Sequence, residues 1–363
     1  MKDKRYPILY RRGVSIVAKI LVAGKIPEIG LELLKDHDVE MYDKEELISL
    51  DELTERVKDK DALLSLLSTK VTKEVIDAAS NLKIVANYGA GYDNIDYTYA
   101  GEKGIAVTNT PKVSTEATAE LTFALLLAAA RRIPEGDTLC RTTGFNGWAP
   151  LFFLGREVHG KTIGIIGLGE IGKAVAKRAK AFGMNILYTG PNRKPEAESE
   201  LEATYVTLEE LLQTADFITI NCAYNPKLHH MIDEEQFKMM KKTAYIVNAS
   251  RGPIMHEAAL AHALKTNEIE GAALDVFEFE PKITEELKGL KNVVLAPHVG
   301  NATFETRDAM AEMAVRNILA VLKGEEPVTP VNQKVFVTKI KRNLPTGRFL
   351  FIFLYLLFLM VFV

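Results

Sequence analysis

Lys161-Thr162-Ile163-Gly164-Ile165-Ile166-Gly167-Leu168-Gly169-Glu170-Ile171-Gly172 constrains this chain more than any other stretch. Its apolar run reads as a buried strand. The glycines then form a G-x-G-x-x-G turn that opens into an amphipathic segment, Ala174 to Phe182. Gly167 permits the tight turn, Gly169 lets the backbone come close to a pyrophosphate, and Gly172 lets the helix pack on the strand. Phosphates would rest on the helix N-terminus, where free N–H groups and the helix dipole favour anions. Strand, glycine turn and helix in that order make a dinucleotide-binding unit the expectation.

At 363 residues the chain exceeds one ordinary core, so two domains are expected. With 45 Lys and Arg against 48 Asp and Glu, it lacks the basic balance of a nucleic-acid binder. Cys140 and Cys222 are the only cysteines, with no C-x-x-C spacing and no Cys/His cluster. That pattern suits two reduced thiols in a cytoplasmic protein without a metal site. Residues 1–18 read as a basic, tyrosine-rich, disordered extension that lacks the apolar core of a signal peptide. Residues 333–363 form a tail outside the fold. After Lys339, Lys341, Arg342 and Arg348 it runs apolar from Phe349 to Val363. As a helix that run spans about 22 Å, short of the roughly 30 Å of bilayer hydrocarbon. Three readings stand: a read-through or frameshifted tail, a membrane-associating tail behind a basic flank, or a helix docked on the body. The lack of caps and of a polar face favours the first, so membrane contact is expected only if the tail is native.

From Lys19 onward short apolar strands alternate with helices: Ile20–Ala23, Val39–Tyr42, Ala62–Ser65 and Leu82–Ala86, separated by Ile29–Leu34, Leu50–Val57 and Lys73–Ala79. Such alternation implies a parallel sheet, which binds ligands beyond its C-terminal strand ends. Asn87 to Asp96 follows the last of these strands, and glycines flanking Ala90 can turn successive N–H groups to one side as an anion nest. Thr115 to Glu120 opens a helix, Leu121 to Arg132, that is apolar on nearly every side. It must be buried all round, against another domain or subunit, and a homodimer is expected. Beyond the glycine turn come strands at Asn185–Tyr188, Phe217–Asn221, Ala244–Asn248, Ala272–Val276 and Val293–Ala296. They make a second doubly wound sheet, followed by a helix from Glu305 to Leu322.

Where the strand Asn185–Tyr188 ends, an acid would bind the ribose 2′-OH of NAD and repel a 2′-phosphate. The chain instead reads Thr189-Gly190-Pro191-Asn192-Arg193-Lys194, two cations and no acid, which favours NADPH over NADH. Three polar residues stand just past later strand ends: Arg251, Glu280 and His298. Arg251 offers a planar fork that holds a carboxylate and polarises a neighbouring carbonyl. His298 can donate a proton to a forming alkoxide, and Glu280 hydrogen-bonded to it would keep the imidazolium available.

These motifs together resemble the D-isomer-specific 2-hydroxyacid dehydrogenases, and within them the glyoxylate/hydroxypyruvate reductases, from about Lys19 to Asn332. The resemblance implies Arg251 as substrate binder, Glu280 as the histidine's partner and His298 as acid/base, with Ala90 and Gly91 receiving the substrate carboxylate. It implies that Leu168, Gly169, Glu170 and Ile171 face the pyrophosphate and that Gly190, Pro191 and Asn192 line the adenosine ribose, beside the cation Arg193 already counted with the cofactor. Ala249, Ser250, Asp275 and Gly300 join the cofactor set, Asp275 at the nicotinamide carboxamide. Trp148 would sit on a segment that approaches a partner subunit's active site, or simply pack. The implied architecture is α/β, two doubly wound parallel-sheet domains with a cleft between them. A flavodoxin-like substrate domain takes 19–110 plus 298–332, and a Rossmann dinucleotide-binding domain takes 111–297.

The activity this implies is reduction of a small 2-oxo acid to the D-2-hydroxy acid. Rivals are a 3-phosphoglycerate dehydrogenase, disfavoured by the missing regulatory domain and ribose acid, and a formate dehydrogenase, which carries glutamine where Glu280 stands. A dinucleotide-sensing corepressor is the non-enzyme alternative, and the intact Arg251, Glu280 and His298 weigh against it. One departure from the family pattern is the late Pro226 after Asn221, which touches the expected adenine wall.

Overall fold

The computed structural model describes residues 17–332. The readings for the N-terminal arm and the apolar tail fall on 1–16 and 333–363, outside the described residues. Among the described residues no helix is long and apolar enough to cross a membrane. The chain divides into two compact units, 17–111 with 307–332, and 112–306.

In the first unit β1 (Lys19–Val22), β2 (Asp38–Met41), β3 (Ala62–Leu66), β4 (Ile84–Tyr88) and β5 (Ala106–Thr108) form a parallel sheet in the order β2-β1-β3-β4-β5. This is the flavodoxin-like order. Every residue of β4 is buried, as expected of a parallel strand covered on both faces. β5 and the helix Tyr97–Glu102 were not legible in the sequence, because a three-residue strand and a one-turn helix carry no periodicity. The C-terminal segment completes this unit. Ala311 of the helix Phe304–Leu322 packs where Gly30 leaves room, since a Cβ on Gly30 would lie 3.1 Å from that of Ala311. The Tyr88 hydroxyl donates to Arg307 O at 2.6 Å, and Val331 N–H donates to Val107 O at 2.8 Å.

The second unit carries β6 (Thr162–Ile166), β7 (Asn185–Thr189), β8 (Ala203–Tyr205), β9 (Phe217–Ile220), β10 (Tyr245–Asn248), β11 (Gly271–Leu274) and β12 (Val293–Leu295). All pair in parallel, in the order β12-β11-β10-β9-β6-β7-β8. The order reverses between β6 and β9, and a crevice opens beyond their C-terminal ends at such a switch point. Ile163, Ile165 and Val247 pack on one face with the helices Thr115–Ala130 and Glu170–Ala181. Ile218, Ile220 and Ile246 pack on the other with Leu211 and Leu260. Each fully buried aliphatic side chain contributes roughly 1.5–3 kcal/mol.

The apolar helix Thr115–Ala130 finds most of its burial inside its own unit, between the sheet and the helix Glu170–Ala181, with Phe123 and Leu126 in that core. Ala124 stays exposed, and Leu121 and Leu127 are only partly buried. One expectation changes. The second crossing between units lies at Thr306–Arg307 rather than at 297–298. The cause is local: Asp275, just after β11, accepts the Val299 and Gly300 amides at 2.7 and 2.8 Å and keeps His298 on the second sheet.

Candidate active site

β10, β11 and β12 are neighbours, and the loops leaving their C-terminal ends carry Arg251, Glu280 and His298 in that order. In the first loop buried Asn248 braces the turn, accepting Ser250 N–H at 3.1 Å and donating to Arg251 O at 3.0 Å. The Ser250 hydroxyl donates to Cys222 O, tying this loop to the one after β9. Arg251 Nη1 donates to Ser250 O at 2.9 Å. In the second loop Phe277 N–H donates to Glu280 Oε1 at 2.9 Å, so the turn itself aims the carboxylate. Its other oxygen, Oε2, meets His298 Nδ1 at 2.8 Å. With Nδ1 so engaged, Nε2 is the nitrogen left for a reacting group. His298 adopts a left-handed φ of 53°, a conformation imposed by the Asp275 bonds to the next two amides.

Charge follows the geometry. Burial pushes the Glu280 carboxyl up, but His298 and the Phe277 amide outweigh it, Arg251 adds its field, and the net effect is a lowered pKa. For Asp275 burial wins: it is raised despite the Val299 and Gly300 amides. Asp275, placed at the cofactor by the resemblance, also shapes the histidine loop: each of its carboxylate oxygens accepts one amide, which leaves a lone pair on each, and a Cβ on Gly300 would come within 3.1 Å of Oδ2.

A supporting layer was missed altogether. His230 Nε2 meets Glu278 Oε1 at 2.7 Å, and Glu278 N–H donates to buried Glu257 at 2.5 Å. The Thr284 hydroxyl also donates to Glu257. These bonds pin the turn that ends at Glu280, and nothing in the local pattern pairs residues so far apart in sequence. His229, His230 and His256 stack at 3.9 and 4.4 Å, and with Glu278 and Asp233 they form two clusters of metal-ligating type. Parallel stacking directs their in-plane lone pairs along separate planes rather than to one point.

The dinucleotide pocket lies beyond β6, β7 and β9, lined by Gly167, Leu168, Gly169, Gly190, Pro191 and Asn192, with Lys194, Asn221 and Cys222 among its other walls. Gly167 has φ 98°, and a Cβ there would strike Cys222. A Cβ on Gly172 would lie 2.1 Å from Gly167 O, so this glycine seats the helix on the turn. A Cβ on Gly169 would meet nothing within 4 Å, the open face a pyrophosphate needs. Both polar atoms of the Asn221 amide are buried without a partner, which fits a pocket awaiting a hydrogen-bonding ligand. Glu170 and Ile171 are not on the lining: Glu170 starts the helix and pairs with Lys173 at 3.4 Å. Pro226 opens the turn Pro226–Leu228, beyond the lining residues Asn221 to Ala223, so its late position leaves those walls intact. Cys222 is an inert wall, since burial pushes its thiol up to about 11.

The cation turn differs from expectation. Lys194 lines the pocket and has no ion-pair partner among the described residues. Arg193 is not on the lining and is paired with Glu198 at 2.6 Å.

In the first unit, the carbonyls of Gly89, Ala90 and Gly91 are held by Thr110 N–H and by the side-chain amides of Asn109 and Asn87 at 2.6–2.9 Å. Neither Gly89 nor Gly91 takes a positive φ. Pinned carbonyls, not alternating handedness, therefore orient this loop. Gly89 is a close approach, with a Cβ there lying 2.3 Å from Leu67.

The family model for the D-isomer specific 2-hydroxyacid dehydrogenase NAD binding domain matches residues 123–300. A candidate 2-hydroxyacid dehydrogenase of Staphylococcus aureus (strain MRSA252) is 66% identical over 315 residues, covering 86% of this chain and 99% of that protein. The chain belongs to the D-isomer-specific 2-hydroxyacid dehydrogenases. Among solved structures, a protein of Thermus thermophilus superposes with TM-score 0.81 at 40% identity, covering 86% of this chain and 99% of that one. An NADPH-dependent glyoxylate/hydroxypyruvate reductase of Sinorhizobium meliloti matches with TM-score 0.76 at 33% identity, covering 88% and 98%. This 2-hydroxyacid dehydrogenase is thus an oxidoreductase with an NAD-binding domain, and its Arg251, Glu280 and His298 have the chemistry that reaction class requires.

Proposed function

We propose that this dehydrogenase reduces a small 2-oxo acid, glyoxylate or hydroxypyruvate, to the D-2-hydroxy acid with NADPH preferred over NADH. The observation that carries the reading is the 2.8 Å His298–Glu280 pair beside Arg251, on the same sheet as an acid-free ribose turn lined by Lys194. Likeness to the Sinorhizobium meliloti reductase supports the same substrates. Arg251 binds the substrate carboxylate and polarises the carbonyl. A bound reduced nicotinamide supplies hydride to C2. His298 gives its proton to the carbonyl oxygen as the alkoxide forms, and Glu280 carries the imidazolium's counter-charge until then.

The protein acts as a homodimer in the cytoplasm. Support for the dimer is an apolar surface on one short segment: Trp148 is 87% exposed and Leu151 85%, beside half-covered Phe152. Both cysteines are free, in keeping with a reducing compartment.

Initial rates with NADPH and NADH against glyoxylate, hydroxypyruvate and bulkier 2-oxo acids test the reading. The expected result is highest kcat/KM for the two small acids with NADPH, abolished in Arg251→Ala and His298→Ala. Near wild-type kcat/KM in either variant would overturn the assignment.

A further inference from the structure

The turn that chooses between NADH and NADPH carries no acid in sequence, yet the fold brings one to it. Glu198 lies on the helix Pro195–Leu201 and is half-buried. Its Oε2 accepts from Arg193 Nη2 at 2.6 Å and its Oε1 from Arg193 Nε at 3.1 Å, a two-point clamp on the guanidinium. The Arg193 guanidinium also lies 5.9 Å from the Tyr205 ring centre. Glu198 Oε1 accepts in addition from the Tyr188 hydroxyl, and that hydroxyl oxygen accepts Lys194 N–H at 2.7 Å. Tyr205 donates to Gly190 O at 3.0 Å, so the whole turn 190–194 is tied down around this one carboxylate. Of its two cations, one is clamped and one, Lys194, lines the pocket.

We infer that Glu198 is a specificity-determining residue: its carboxylate holds Arg193 away from the ribose and tempers the turn's attraction for a 2′-phosphate, leaving Lys194 to recognise that group. This rests on the NADPH preference proposed above and names the residue that sets its degree. A bidentate guanidinium–carboxylate pair is among the stronger polar contacts, so a phosphate cannot recruit Arg193 without displacing Glu198. Loss of the carboxylate removes a like charge from the phosphate's surroundings and frees a five-donor fork beside it.

The test titrates the full chain with 2′,5′-ADP and with 5′-AMP by calorimetry, and takes the ratio of their affinities. Wild-type preference for 2′,5′-ADP bears on the NADPH reading alone, and its absence would sink that reading only. The change in the ratio on substitution bears on Glu198. Glu198→Gln keeps an acceptor for Tyr188 and is expected to raise the ratio about tenfold, the worth of one charge-assisted hydrogen bond. Arg193→Ala in that background is expected to cancel the gain. Arg193→Ala alone leaves the Glu198 charge uncompensated and is expected to lower the ratio less than Lys194→Ala does. A ratio that stays level or falls in Glu198→Gln overturns the inference. So does Arg193→Ala alone lowering it as much as Lys194→Ala, a comparison that holds even if the Glu198 variant fails to fold.

Discussion

Gly252→Ala sets the two halves of the catalytic machinery against each other. Gly252 follows Arg251 directly, and an added Cβ would lie 1.9 Å from Phe277 C, 2.0 Å from Phe277 O and 2.3 Å from Glu278 N. Those are backbone atoms, so no rotamer change relieves the clash. Ordinary carbon contact begins near 3.5 Å, and the loops must therefore part by about 1.5 Å. The Glu280 side cannot retreat freely, because His230 and Glu257 hold Glu278 and the Phe277 amide holds Glu280 itself. The displacement falls on Arg251, whose carbonyl is braced by Asn248. Overpacking of this kind costs about 1–3 kcal/mol of stability. Misplacing a catalytic group by about 1 Å costs on the order of 100-fold in rate. The assay is kcat/KM for hydroxypyruvate beside cofactor affinity and thermal melting. The expected pattern is a roughly 100-fold fall in kcat/KM with cofactor affinity kept, since the lining glycines are elsewhere. A folded variant with wild-type kcat/KM would refute the claim that this contact sets the Arg251–Glu280 geometry.

Glu280→Gln should alter the acid limb of stability. The folded-state pKa of Glu280 is lowered, so its contribution is full above the ordinary glutamate value near 4.3 and is lost as pH falls through the folded value. Melting temperatures across this acid range should converge for wild type and variant as pH drops, and a constant gap would contradict the linkage. Leu151→Glu, on the exposed segment, should shift sedimentation from dimer to monomer without changing the melting of the monomer. An unchanged mass would remove that surface from the proposed interface.

Arg251 and His298 were legible as candidates because each closely follows a strand whose apolar run is visible in the sequence, while Glu280 stands six residues beyond β11. Arg251 comes three residues after Asn248, and His298 three after Leu295. Glycine roles were legible too, since they depend on neighbours within one turn. The rest depended on tertiary partners. Arg193 and Lys194 look alike as adjacent cations, and only the position of Glu198 separates them. That Asp275 also holds the amides of Val299 and Gly300 shows only once the fold brings the two loops together. Asn221 stands out only once its amide is seen buried and unpartnered. β5 and β8, three residues each, are too short for pattern to reveal. For the helix Thr115–Ala130, uniform hydrophobicity says that burial occurs but not against what, and the sheet of its own unit takes most of it.

The adjacency of β10, β11 and β12 carries a consequence for how this site can evolve. Neighbouring strands in a sheet are about 4.8 Å apart, so the loops bearing Arg251, Glu280 and His298 leave the sheet within roughly 10 Å of one another. Backbone hydrogen bonding sets that spacing, and side-chain substitution cannot widen it. Substitution of Arg251, Glu280 or His298 can change what each loop presents, but the three positions stay neighbours for as long as the sheet is intact.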